Sequence, residues 1–174
     1  MLLLDTIMNA IFYFNQFKFM NQILDRELHK GLCLTMCIDF IYNKRNRLPC
    51  NFIYFSQRYR FTSRQRALSY GVEGGKIRDA VLFPDRRLKP RYKSYIPAPI
   101  SNTKIASCVL AKGDYLINIY NIDNTGHTIA LRNHDSIELF DPNKGLFILE
   151  YISELTFYIN NNYLNKGIYI YEYL

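Results

Sequence analysis

The sequence predicts an α+β fold, with N-terminal helices packed on a C-terminal antiparallel β-sheet. Two features of the chain carry this. Over roughly the first 70 residues apolar side chains recur at mixed helical spacing, and from Ile105 onward β-branched and aromatic residues dominate between turn residues. Helices followed by strands is the α+β pattern. The chain has 174 residues, 49% of them apolar, which is enough for one domain with its own core.

Residues 2–28 carry Leu4, Ile7, Met8, Ile11, Phe12, Phe19, Ile23 and Leu24, a spacing that fits one or two helices. A further helix is expected from near Gly31 through Leu34, Met36, Cys37, Ile38, Phe40 and Ile41, ending before Pro49. Lys44, Arg45 and Arg47 sit at its C-terminal end, where cations suit the helix dipole. Residues 52–70 suggest another helix, closed by Gly71. Residues 71–103 contain Gly74-Gly75, Pro84, Pro90, Pro97 and Pro99 and read as loop and short strand. Strands are then expected near 105–111, 114–121, 127–133, 136–141 and 146–149, a short helix over 151–162, and a last strand over 167–173. The chain therefore divides into a mainly helical 1–70, a basic loop-rich 71–103 and a sheet over 104–174, all within one domain. It shows no internal repeat.

The formal charge is +7, which admits an anionic partner without naming one. The four cysteines, Cys33, Cys37, Cys50 and Cys108, are irregularly spaced and read as free thiols. No cofactor or metal is expected, because Cys33 and Cys37 lack two further placed ligands. No apolar run reaches membrane-spanning length. Met1-Leu2-Leu3-Leu4-Asp5 lacks the basic start of a signal peptide, so any export is expected to proceed without a cleaved signal.

The most informative stretch is Gly126-His127-Thr128-Ile129-Ala130-Leu131, followed by Ile137-Glu138-Leu139-Phe140-Asp141. It reads as a hairpin. A turn centred on His134 sets Asp141 directly opposite His127, and such cross-strand pairs have Cβ atoms about 4.5–5.5 Å apart. A histidine held in one tautomer by a carboxylate is half of a nucleophilic site. Cys33 is the candidate nucleophile. It falls in the first turn of its helix, where unpaired N–H groups and the dipole favour a thiolate and a developing oxyanion. An isolated cysteine is most often a small buried hydrophobe, and Cys37, one turn further in, is read as that. His134 and Asp135 at the hairpin tip read as exposed turn residues, and His29 as a surface residue.

Three blocks of this chain resemble the YopT-type cysteine proteases, a papain-like family of bacterial effectors and toxins. Gly31-x-Cys33-x-x-x-Cys37-x-x-Phe40-Ile41 looks like that family's nucleophile helix, with Phe40 where Trp is common. Gly126-His127-Thr128-Ile129-Ala130-Leu131 resembles its histidine strand. Phe140-Asp141-Pro142-Asn143-Lys144-Gly145-Leu146-Phe147 resembles its aspartate block and is the most specific of the three. The resemblance implies a papain-like fold, Cys33 as nucleophile, His127 as base and acid, and Asp141 as orienting carboxylate. It also implies a protein substrate and delivery into the cytosol of a target cell. Papain-like sites usually add a side-chain amide from just upstream of the cysteine, and residues 23–32 hold no Asn or Gln.

Between the cysteine and histidine blocks the basic residues from Lys44 to Lys93 far outnumber the acidic ones. They suit a solvated surface, or a rim that attracts an acidic substrate or an anionic membrane. Interleaved aromatics invite a nucleic-acid partner, but no nucleic-acid motif supports one. Two alternatives stay open at this stage: a papain-like glutamine deamidase or acyl-transfer enzyme, and a non-enzymatic basic module.

Overall fold

The computed structural model describes residues 9–13, 15–16, 33–50, 72–73, 76–77 and 90–173. The elements are β1 (Asn9–Tyr13), α1 (Cys33–Arg45), β2 (Val72–Glu73), β3 (Lys76–Ile77), β4 (Pro90–Pro97), α2 (Asn102–Val109), β5 (Gly113–Asn121), β6 (Gly126–Asn133), β7 (Ile137–Asp141), β8 (Gly145–Leu149), α3 (Ile152–Asn162) and β9 (Asn165–Tyr173). Seven strands form one antiparallel sheet in the order β1-β8-β7-β6-β5-β9-β4, and β2 and β3 pair as a separate ribbon.

Strand alternation divides the core in two. One face of the sheet presents Leu116, Ala130, Phe140, Leu146 and Tyr171 to Leu34, Cys37, Ile38 and Ile41 of α1. The other presents Ile117, Ile129, Leu131, Leu139, Phe147 and Ile170 to α2 and α3. The first nine residues of α1 are all buried, which follows from a stretch, Cys-Leu-Thr-Met-Cys-Ile-Asp-Phe-Ile, with almost no polar face. Its two C-terminal cations do more than face the dipole. Lys44 pairs with Glu138 at 2.7 Å, and Arg45 pairs with the buried Asp114 at 2.5 Å.

Two expected elements are different in kind. Of residues 105–111, read as a strand, 105–109 belong instead to α2 and none is in a strand. Ile105 and Val109 are fully buried and four residues apart, so one helical stripe buries both while Thr103, Lys104 and Ser107 stay exposed. Their β-branching suggested a strand, but tertiary burial overrides that propensity. Within residues 2–28, read as helical, residues 9–13 form an edge strand on β8. Asn9, Ile11 and Tyr13 face solvent, and Ala10 and Phe12 pack inward. The eight-residue β4 lies within the segment read as loop and short strand. It is an edge strand with Pro90 and Pro97 at its ends, positions a sheet tolerates for proline. The helix expected over 52–70, and His29, lie outside the described residues.

Of the basic middle, Lys44 and Arg45 are tied to the sheet, and Arg91 and Lys93 to Glu172 at 2.6 and 3.6 Å. These cations serve internal pairs. At the hairpin tip Asp135 is exposed, but His134 reaches back to Asp114 Oδ1 at 3.0 Å, so it is more than a turn residue. Cys50 and Cys108 are half-buried packing residues on the two core faces.

Gly145 shows why the aspartate block ends as it does. Its φ is +132°, and a Cβ there would lie 2.0 Å from the Phe12 carbonyl oxygen of β1. Gly126, by contrast, has only the Ile119 carbonyl oxygen nearby, at 3.9 Å. Gly145→Ala should therefore destabilise the fold by about 3 kcal/mol through strain and loss of the β1 edge. Gly126→Ala should stay within about 0.5 kcal/mol of the parent. Denaturant midpoints of the two variants check this, and equal costs would contradict it.

Candidate active site

Cys33 opens α1, His127 is the second residue of β6 and Asp141 the last of β7. The antiparallel pairing of β6 with β7 brings the latter two to one end of the sheet, and α1 begins there. The structure places all three together. The Cys33 side chain hydrogen-bonds to His127. His127 Nε2 lies 2.9 Å from Asp141 Oδ1, which leaves Nδ1 for the thiol. Their exposures are 7%, 5% and 0%, so the chain of contacts is shielded from solvent.

The register differs from the one expected. Ala130 pairs with Phe140 and Asn133 with Ile137, which centres the turn on Asp135 rather than His134. Asp141 is therefore not directly opposite His127 but offset by two residues. A two-residue offset preserves the sheet face, and a diagonal neighbour remains within reach of an imidazole.

Asp141 accepts four hydrogen bonds. Oδ1 takes His127 Nε2 and, at 2.7 Å, the backbone N–H of Asn143. Oδ2 takes the Tyr158 hydroxyl at 2.5 Å and the Tyr163 hydroxyl. Burial alone would raise this carboxyl's pKa. The charge and hydrogen bond of His127 and the two tyrosine hydroxyls outweigh it and hold the pKa below the usual 3.8. Burial likewise opposes the imidazolium, but the Asp141 charge and hydrogen bond and the contacts with Cys33 raise His127 from 6.5 to about 10. Burial opposes the Cys33 thiolate, yet His127 and the Thr128 backbone N–H and hydroxyl bring the thiol below its ordinary 9.0. All three directions favour a thiolate–imidazolium–carboxylate row.

The fold is similar to the crystal structure of the Pseudomonas avirulence protein AvrPphB. The TM-score is 0.64 at 15% sequence identity, over 84% of this chain and 93% of that one. The likeness shows the papain-like α+β fold. No protein-family model matches the chain, and no curated protein matches it.

Several residues around the site were not anticipated. Gln16, 1% exposed, donates from Nε2 to Asn143 Oδ1 at 2.6 Å, and its backbone N–H donates to the Pro142 carbonyl at 2.7 Å. Asn143 Nδ2 in turn lies 3.5 Å from His127 Nδ1. This amide pair stands beside the nitrogen nearest the thiol. Gln16 is seventeen residues upstream of Cys33, beyond the residues that immediately precede the cysteine. Tyr163 stacks on the imidazole, with ring centroids 5.0 Å apart and planes 20° apart. A tyrosine where phenylalanine would fill the same core is the signal for such roles, because a buried hydroxyl needs a partner. Cys37 is fully buried and donates its S–H to the Thr128 carbonyl at 3.2 Å. Burial and the Cys33 and Asp141 charges push its pKa well up, which suits a packing residue. Among the described residues no group of three or more His, Cys, Asp or Glu side chains could hold a metal ion.

The two shifts set opposite pH limits on stability. The His127 contribution is fully present below pH 6.5 and is lost as pH rises toward about 10. The Asp141 contribution is present above pH 3.8 and is lost as pH falls through its lowered pKa. The pair should thus support the fold best between pH 3.8 and 6.5. Urea midpoints of the parent should fall from pH 6.5 to 10 more steeply than those of Asp141→Asn. Parallel curves would mean that the imidazole is not held protonated by this carboxylate.

Proposed function

We propose that this chain is a cysteine protease working through an acyl-enzyme, with Cys33 as nucleophile, His127 as acid and base, and Asp141 as the carboxylate that orients the imidazole. The single observation that supports it most is the buried row of hydrogen bonds from Cys33 through His127 to Asp141. The three sequence blocks add to it, as does the fold shared with AvrPphB, a YopT-type cysteine protease effector.

In this reading the thiolate attacks the carbonyl carbon of an amide, and the carbonyl electron pair moves onto oxygen. Donors at the start of α1, chiefly the Cys33 backbone N–H, receive that oxyanion. The Gln16–Asn143 pair supplies the side-chain amides that the sequence just before Cys33 lacks. Collapse of the adduct breaks the C–N bond, and the proton on His127 Nδ1 leaves with the amine. His127 then takes a proton from water as it attacks the thioester, which releases the acid and restores the thiolate. Asp141 keeps the ring in register and its positive charge compensated throughout. The substrate is a protein, and by analogy with the neighbour the site of action is a target cell. The whole chain, 1–174, forms the catalytic domain.

A side-chain amide of glutamine could enter the same chemistry, with ammonia as the leaving amine. Treating a target-cell lysate with the parent protein and reading new peptide N-termini by mass spectrometry separates the two. The expected result is a defined set of new termini, with Cys33→Ala reduced about a thousandfold or more and still folded. Glutamine converted to glutamate without new termini would move the reading to deamidation. The same termini at the same rate from Cys33→Ala would end the thiol mechanism altogether.

A further inference from the structure

We infer that Tyr158 and Tyr163 are positioning residues of this thiol site. Their hydroxyls lock the outer oxygen of Asp141 and the Tyr163 ring backs the imidazole, so that His127 keeps facing Cys33 while its charge changes. The inference rests on the reading of Cys33, His127 and Asp141 given above.

Both side chains come from one element. Tyr158 lies in α3, and Tyr163 is the residue on which α3 ends, in an extended conformation, with its N–H on the Ile159 carbonyl. The turn from helix to strand therefore aims Tyr163 at the end of the sheet where β6 and β7 carry His127 and Asp141. The ring of Tyr163 lies on the imidazole while its hydroxyl reaches Asp141 Oδ2, so one rigid side chain contacts both partners of the 2.9 Å bond. Tyr158, 2% exposed, approaches the same oxygen at 2.5 Å and packs on Phe147, with ring centroids 5.9 Å apart.

The chemistry of the donors matters. A carboxylate that must stay ionised beside an imidazolium needs donors that stabilise its charge without giving up a proton. Both phenols are pushed well above their ordinary value by burial and by the Asp141 charge, so they donate and do not protonate it. With Oδ2 held twice and Oδ1 held by the Asn143 N–H, the carboxylate cannot swing away when His127 passes its proton on. The titratable groups facing Asp141 are His127 from β6, Tyr158 and Tyr163 from α3 and its end, and Cys37 from α1, with Cys33 beyond the imidazole.

The test reads thiolate character directly and needs no substrate. The full chain and its Tyr158→Phe, Tyr163→Phe and Tyr163→Leu variants are alkylated with iodoacetamide across a pH series, and modification at Cys33 is quantified by mass spectrometry. The parent should react well below the pH at which an ordinary thiol ionises. Each Phe variant removes one donor from Asp141 and leaves the other. The carboxylate then protonates at higher pH, the imidazolium loses its counter-charge, and the acid limb of the profile should move up by about one pH unit. Tyr163→Leu should show the same shift and a severalfold lower plateau. Should the Leu variant fail to fold, the two Phe variants carry the test. Phe profiles superimposable on a parent that does show an early thiolate would overturn this inference and leave the site reading standing. A parent whose Cys33 reacts like an ordinary thiol would remove the site reading and this inference together.

Discussion

A fully buried carboxylate organises this end of the molecule. An ionised Asp141 without compensation would cost several kcal/mol, far more than one side chain's packing returns. The fold meets that cost with four donors drawn from three directions: His127 from the neighbouring strand, the Asn143 N–H from the following turn, and two phenols from α3. Four residues of the surrounding block then have a physical task. Phe140 stacks on Phe40 of α1, with centroids 5.0 Å apart, and seats the strand on the helix. Pro142 offers its carbonyl to Gln16, and Asn143 links Gln16 to the imidazole. Gly145 lets β1 pass where no Cβ would fit. The block is a motif because one buried charge fixes the turn, the helix contact and the strand approach together.

A second buried carboxylate holds the other end of the same elements. Asp114, at the start of β5, is 1% exposed and is shared by Arg45 of α1, Arg132 of β6 and His134 of the hairpin. The Arg45 and Arg132 guanidinium groups keep its pKa low against burial, which would raise it. α1 is thus fastened to the sheet at both termini, at Cys33 through His127 and Thr128, and at Arg45 through Asp114. The helix between these points is almost wholly buried. Cys33, on its first turn, consequently has little freedom relative to the imidazole, which is the rigidity that positioned chemistry requires.

How much of this was legible in the sequence follows from the range of each signal. The helix at 33–45 and the strands between 113 and 149 were readable because their patterns are local. The partnership of His127 with Asp141 was readable too, although its register was misplaced by two residues, since an even slip leaves both on one face. Residues 105–109 were misread because Ile105 and Val109 carry strand propensity at helical spacing, and only the packing of α2 against the sheet decides between them. Residues 9–13 were misread because an edge strand is defined by its partner, β8, which lies more than a hundred residues away. Gln16 carries no local mark, and Tyr158 and Tyr163 carry only a hydroxyl where phenylalanine would fill the core. Their importance arises from where distant turns deliver them.

The electrostatics also distinguish the two thiols on α1, Cys33 and Cys37. A helix N-terminus by itself favours a thiolate at Cys33. Cys33 and Cys37 sit one turn apart, are both buried, and both meet Thr128, Cys33 through the N–H and hydroxyl and Cys37 through the carbonyl. Burial raises both thiols, yet Cys33 ends below the ordinary value and Cys37 well above it. The difference is the partner. Cys33 meets an imidazolium and the Thr128 N–H, which donates to a thiolate, whereas Cys37 meets a carbonyl that accepts its proton and two negative neighbours, Cys33 and Asp141. In so dry a site the helix dipole is a minor influence beside one full charge in hydrogen-bond contact. The charge that lowers the Cys33 thiol therefore originates at Asp141, one residue further along the row, and reaches the sulfur through the histidine that the carboxylate keeps protonated.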